Sequence, residues 1–149
     1  VISVEQCKVL LVDDEAEYLE TLMKRLKKRN LAITGANNGE EALHLLRTSQ
    51  VDVVVLDVRM PGMDGIQVLR EIKKSKPLVE VIMLTGHANV EVAVEGMSLG
   101  AFDYLMKPAD IDELLYKIQD AYKAISIQKE KIAQLEDETL LRSKAEGVD

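Results

Sequence analysis

The chain has 149 residues, enough for one domain with a proper core, and its 47% hydrophobic content is that of an ordinary globular protein. Its longest apolar runs, such as Val53–Leu56, are strand-sized and exclude a membrane span, while Val1–Cys7 has neither the basic start nor the apolar stretch of a secretory signal. The net charge of −7 argues against direct nucleic-acid binding by this segment, and the single cysteine, Cys7, forms no internal disulfide and fits a reducing, cytoplasmic compartment as a small buried residue.

Along the chain, short β-rich runs alternate with stretches of helical spacing. A first strand at Val9–Val12 leads through Asp13-Asp14-Glu15 into a helix marked by Leu19, Leu22, Met23 and Leu26. A second strand at Ala32–Ala36 turns at Asn37-Asn38-Gly39 into a helix marked by Ala42, Leu43, Leu45 and Leu46. The third strand, Val53–Leu56, is apolar without alternation, as a central strand covered on both faces should be. Asp57 follows it, then the turn Pro61-Gly62-Met63-Asp64-Gly65 and a helix marked by Ile66, Leu69 and Ile72. A fourth strand at Val81–Leu84, closed by Thr85, precedes a shorter helix marked by Val90, Val94 and Met97. The fifth strand, Tyr104–Met106, is followed by Lys107 and a helix marked by Ile111, Leu114, Leu115 and Ile118. Three helix starts resemble capping boxes: Asn38 with Glu41, Asp64 with Gln67, and Asp110 with Glu113. Strict alternation predicts an α/β fold of the (βα)5 kind, a doubly wound five-stranded parallel sheet with helices on both faces.

The last helix is expected to outrun the domain. Its apolar spacing continues through Ile111, Leu114, Ile118, Ala121, Ile125, Ile132 and Leu135, with Gln128 at one seam position, and no Pro or Gly interrupts it before Gly147. We divide the chain into a domain at 7–124 and a helical extension, linker or coiled-coil-like tail at 125–149, with the helix reaching to about Leu140. Three readings of the tail compete. A two-stranded coiled coil is favoured, over a single helix leading to an output domain and a tail folded back on its own domain.

The polar residues that close the strands carry the chemistry. Asp13 and Asp14 follow the first strand, Asp57 the third, Thr85 ends the fourth and Lys107 follows the fifth. In a parallel sheet these ends share one edge, where ligands of open α/β sheets bind. Clustered carboxylates repel, and a hard divalent cation such as Mg²⁺ resolves the conflict. A carboxylate nucleophile, a hydroxyl and an ammonium then form a set suited to taking up a phosphoryl group. Taken singly, each residue has a plainer reading: Asp14 as a helix cap with Glu17 three residues on, Thr85 as an ordinary strand end, Lys107 as a solvated charge.

On these residues the chain resembles the response-regulator receiver family of two-component signalling, with its chemotaxis-regulator-like fold. The matching strings are Val9-Leu10-Leu11-Val12-Asp13-Asp14-Glu15, Val54–Gly65 with Leu56-Asp57 at its centre, Val81-Ile82-Met83-Leu84-Thr85-Gly86, and Gly100–Pro108 with Lys107-Pro108 at its end. They fall within about Cys7 to Ala124. The resemblance implies the flavodoxin-like strand order 2-1-3-4-5 and a phosphorylation switch rather than a turnover enzyme, limited to Mg²⁺-dependent self-phosphorylation and slow self-dephosphorylation. It implies Asp57 as phosphoacceptor, Mg²⁺ (or Mn²⁺ in its place) on Asp13, Asp14, Asp57 and the backbone carbonyl of Arg59, and phosphoryl contacts from Thr85, Lys107 and the amide of Gly86. Pro108 would follow a cis peptide bond, and Tyr104 would be the switch aromatic. Arg59 and His87 occupy positions that tune phosphoryl lifetime in the family; a reach over the pocket mouth and a solvated side chain stand equally open for both.

The implied partners are a sensor histidine kinase or phosphotransfer protein and a second copy, met through the fourth helix, fifth strand and fifth helix or through the C-terminal helix. The string around Tyr104 resembles receivers at the front of enhancer-binding transcription activators. No ATPase or helix-turn-helix segment is present, so the chain is read as a fragment or as acting through contact alone. Two alternatives are weaker. A haloacid-dehalogenase-type enzyme wants an acid where Arg59 stands, and a flavin carrier wants a phosphate-cradling loop where Asp13-Asp14-Glu15 stands.

Overall fold

A computed structural model describes residues 6–60, 64–86 and 90–147. Five strands alternate with five helices: β1 (Lys8–Val12), α1 (Ala16–Lys27), β2 (Ala32–Ala36), α2 (Gly39–Thr48), β3 (Val53–Asp57), α3 (Gly65–Ser75), β4 (Glu80–Thr85), α4 (Val90–Ser98), β5 (Asp103–Met106) and α5 (Ile111–Ala145). All strand pairs are parallel, in the order β2-β1-β3-β4-β5. The strand order reverses between β1 and β3, so the crevice at their carboxyl ends lies where such sheets bind ligands.

Period-two alternation along the strands divides the core. Val53 and Val55 of β3 face the side covered by α1 and α5, where Leu19, Leu26, Leu114 and Ile118 pack. Val54 and Leu56 face the opposite side, where α2 and α3 bring Ala42, Leu46, Leu69 and Ile72. Both faces being covered, every residue of β3 is buried, which is why its sequence does not alternate. The edge strand β2 is half exposed.

Element boundaries differ from the sequence reading by a residue or so. β1, β4 and β5 begin one residue earlier, and β3 extends to include Asp57. Asn38, Asp64 and Asp110 each accept the amide of the residue three ahead, and the reciprocal arm of the box closes at Asp64–Gln67. At Asn38 the returning carboxylate of Glu41 takes the amide of Asn37 instead. Glu15, not Asp14, is the N-cap of α1, and it makes no side-chain cap bond, so Asp14 keeps its carboxylate free of that duty. After β3 the chain doubles back tightly: the Gly65 amide donates to Val58 O at 3.3 Å, and a Cβ on Gly65 would sit 2.7 Å from Asp57 O. Only glycine admits that approach.

α5 runs unbroken to Ala145 rather than to Leu140. Its first apolar positions, Leu114, Ile118, Ala121 and Ile125, are buried in the domain core. Beyond them residues 129–142 are exposed, so the tail does not fold back, and Ile132 and Leu135 face solvent. The continuous seam read from the sequence is therefore two surfaces in series, one facing the chain's own sheet and one bare.

Candidate functional site

The site forms where β1, β3, β4 and β5 end. Asp57 closes β3, 4% exposed, and the Arg59 amide donates to its Oδ1 at 3.1 Å. Asp13, just past β1, is 2% exposed; its own amide donates to Ala36 O at 3.1 Å, and its Oδ1 accepts the Glu15 amide at 2.8 Å. Asp14 is exposed at the rim. Carboxylate oxygens of Asp13, Asp14 and Asp57 all lie within 4.8 Å of one another.

Burial pushes the Asp57 carboxyl up to about 6, the Asp13 and Asp14 charges adding to the rise while the Arg59 amide and Lys107 oppose it. Lys107 reaches in from the end of β5, its Nζ 2.8 Å from Asp13 Oδ2, 2.8 Å from Glu15 Oε1 and 3.5 Å from Asp57 Oδ2. Burial would pull this ammonium down, but Asp13, Glu15 and Asp57 hold it above its ordinary value. Asp13 Oδ2 is buried, and the Lys107 ammonium 2.8 Å away is its polar neighbour.

Thr85 is 1% exposed, and its hydroxyl turns toward β5, donating at 3.5 Å to Leu105 O and to Met106 Sδ. Beside it a cavity of about 320 Å³ opens between α4 and β5, lined by Thr85, Ala93, Val94, Met97, Tyr104 and Met106. Tyr104 stands 44% exposed at its mouth. The Lys107 amide donates to Thr85 O at 2.8 Å, and the Lys107–Pro108 peptide is cis. Gly86 follows Thr85 half-buried, and the Arg59 side chain is exposed. His87 lies outside the described residues.

The structure thus gathers Asp13, Asp14, Asp57 and Lys107, while the Thr85 hydroxyl and Tyr104 face β5 and solvent. Two neighbours were not singled out in the sequence. Glu15 pairs with Lys107, and Tyr18 lies under it, 4.6 Å from ring centroid to Nζ. The signal for both is topological: α1 and α5 share a face of the sheet, so the start of α1 meets the loop entering α5. Cys7 sits at the amino end of β1, the far edge of the sheet, where burial first and Asp52 second push its thiol up to about 12. Such a thiol is inert.

Among the described residues, no helix is long and apolar enough to cross a membrane. Residues 9–119 match the family described as "Response regulator receiver domain". The chain is 42% identical over 123 residues to the regulatory protein AtoC of Escherichia coli (strain K12), covering 83% of this chain and 27% of that protein. To the DNA-binding transcriptional regulator NtrC of the same organism it is 41% identical over 113 residues, covering 76% and 24%. It therefore spans about a quarter of the length of these relatives. The crystal structure of a response regulator receiver domain protein from Clostridium thermocellum superposes with a TM-score of 0.79 at 34% identity, covering 82% of this chain and 98% of that one. Fold, edge and sequence agree: this chain belongs to the response regulator receiver family and is a receiver domain of a two-component response regulator.

Proposed function

We propose that the chain is a phosphorylation-activated switch in which Asp57 accepts a phosphoryl group, with Mg²⁺, from a sensor histidine kinase or phosphotransfer protein. The observation that carries this is the buried Asp57 carboxylate within 4.8 Å of two further carboxylates and 3.5 Å from a lysine ammonium. An Asp57 oxygen attacks phosphorus, the bond to the donor's leaving atom breaks, and an aspartyl-phosphate forms. Lys107, already at the pocket, supplies positive charge to the oxygens of the transferred group. The Thr85 hydroxyl and the amide of Gly86 supply hydrogen bonds to the same oxygens.

The donor set fits a hard divalent cation. Three carboxylates crowd together, two of them buried, and one lysine ammonium does not balance their charge. Asp14 and Asp57 would hold Mg²⁺ directly with the carbonyl of Arg59, and Asp13 through water; Mn²⁺ is the expected substitute. When bound, the ion neutralises charge on the phosphoryl oxygens. Arg59 and His87 remain candidates for setting the lifetime of the acyl-phosphate, which this domain hydrolyses slowly itself.

The output follows from the Thr85 side of the site. A phosphoryl group draws the Thr85 hydroxyl away from Leu105, and Tyr104 turns into the cavity beside α4. The α4-β5-α5 surface changes shape and controls a second copy or an output partner. The change in burial along α5 comes after Ile125, just past the expected domain of 7–124, and the bare tail that follows suits a two-stranded coiled coil, because a lone protruding helix is marginal in water. We place it in the cytoplasm and, like the transcriptional regulators it resembles, in transcription control.

Intact-mass spectrometry after incubation with acetyl phosphate and Mg²⁺ tests the assignment. One phosphoryl adduct is expected on the native chain and none on Asp57→Asn; an undiminished adduct on Asp57→Asn rejects Asp57 as acceptor. Asp14→Ala is expected to lose measurable Mg²⁺ binding.

A further inference from the structure

The resting position of Lys107 is built by α1 as well as by the carboxylates. Its Nζ lies 4.6 Å from the centroid of the Tyr18 ring, and Glu15, one helical turn before Tyr18, holds the same ammonium at 2.8 Å. Tyr18 is half-buried against the core that α1 and α5 share. Its hydroxyl accepts the backbone amide of Ala109 at 3.0 Å, two residues beyond Lys107 and 91 from Tyr18 in sequence. One side chain thus bears on Lys107 in two ways: its ring face lies beneath the ammonium, and its hydroxyl holds Ala109 in the loop that carries Lys107.

We propose that Tyr18 is a positioning residue for Lys107, its ring seating the ammonium and its hydroxyl fixing the loop. This rests on the proposed function only for the consequence, that a correctly placed Lys107 serves phosphoryl uptake at Asp57. The physical reason is the flexibility of lysine. Four rotatable bonds leave an ammonium free to follow the exposed Glu15 carboxylate out of the pocket, and a ring face on the third side narrows that freedom. In a partly buried site a cation–π contact is strong enough to matter. The hydroxyl keeps Ala109 and hence the Lys107 main chain in register with α1.

The test combines spectroscopy on the metal-free chain with phosphorylation kinetics, for the native protein, Tyr18→Phe and Tyr18→Leu. A ring below the ammonium shifts the Lys107 side-chain NMR signals upfield. That shift is expected in the native chain, retained in Tyr18→Phe and lost in Tyr18→Leu. With acetyl phosphate and Mg²⁺, the rate of adduct formation is expected to fall roughly 2- to 30-fold in Tyr18→Leu, the range a cation–π contact spans, and by less in Tyr18→Phe. Unshifted Lys107 signals in the native chain overturn the proposal, and that measurement stands even if Tyr18→Leu does not fold. Equal rates for all three chains also overturn it. A native chain that takes up no phosphoryl group would instead reject the proposed function, and the metal-free spectra would still decide the seating of Lys107.

Discussion

Asp57 is set against itself in the metal-free chain. Its carboxyl is raised from 3.8 to about 6, burial being the largest cause. The sign follows from linkage: a folded-state acid with a raised pKa binds more protons than the unfolded chain between those values, so stability falls as pH rises through that window. The loss is complete above about pH 6 and amounts to up to about 3 kcal/mol. Asp57→Asn should remove it. Chelator-treated protein is expected to melt several degrees lower at pH 7 than Asp57→Asn, with the gap closing toward pH 4; parallel melting curves across that range would contradict the assignment. The sequence made the acidic members of this cluster legible, since each closes a strand. It did not reveal that Lys107 divides itself among Asp13, Glu15 and Asp57, because side-chain partners across 92 positions depend on which helix covers which face.

Strands and helices were legible to within a residue or so, because β3 is apolar throughout and the helices carry apolar stripes of helical period. The exception is α5. Spacing alone shows a seam from Ile111 to Leu135 but not what covers it, and burial divides it at Ile125. Two substitutions separate the halves. Ile118 is fully buried, so Ile118→Ala should cost about 2–5 kcal/mol in denaturant unfolding at any protein concentration. Leu135 is 62% exposed, so Leu135→Ala should leave the stability of the domain unchanged and act only on a concentration-dependent state. A comparable loss from both would mean that the tail belongs to the fold of the single domain. The turn before α3 offers a backbone test as well. Gly65→Ala puts a methyl group against Asp57 O and the Val58 backbone, and should destabilise by about 1–3 kcal/mol in the same unfolding experiment.

At the scale of the whole molecule, the carboxylate pocket and the exposed surface of α4 and β5 meet at Thr85. Its hydroxyl touches β5, and its side chain lines the cavity that Tyr104 borders. Light scattering with and without beryllofluoride, on this chain and on one ending at Ala124, reports whether that surface or the tail brings two copies together. A dimer of the longer chain is expected, and a monomer in both states at high micromolar concentration would exclude it. The most direct test of the switch is an NMR titration with Mg²⁺ and beryllofluoride, a stand-in for the phosphoryl group. A saturable response that Asp57→Asn abolishes is expected, with shifts running from the pocket through Thr85 to α4 and Tyr104. Shifts confined to the residues around Asp57, or a response that survives Asp57→Asn, would contradict it.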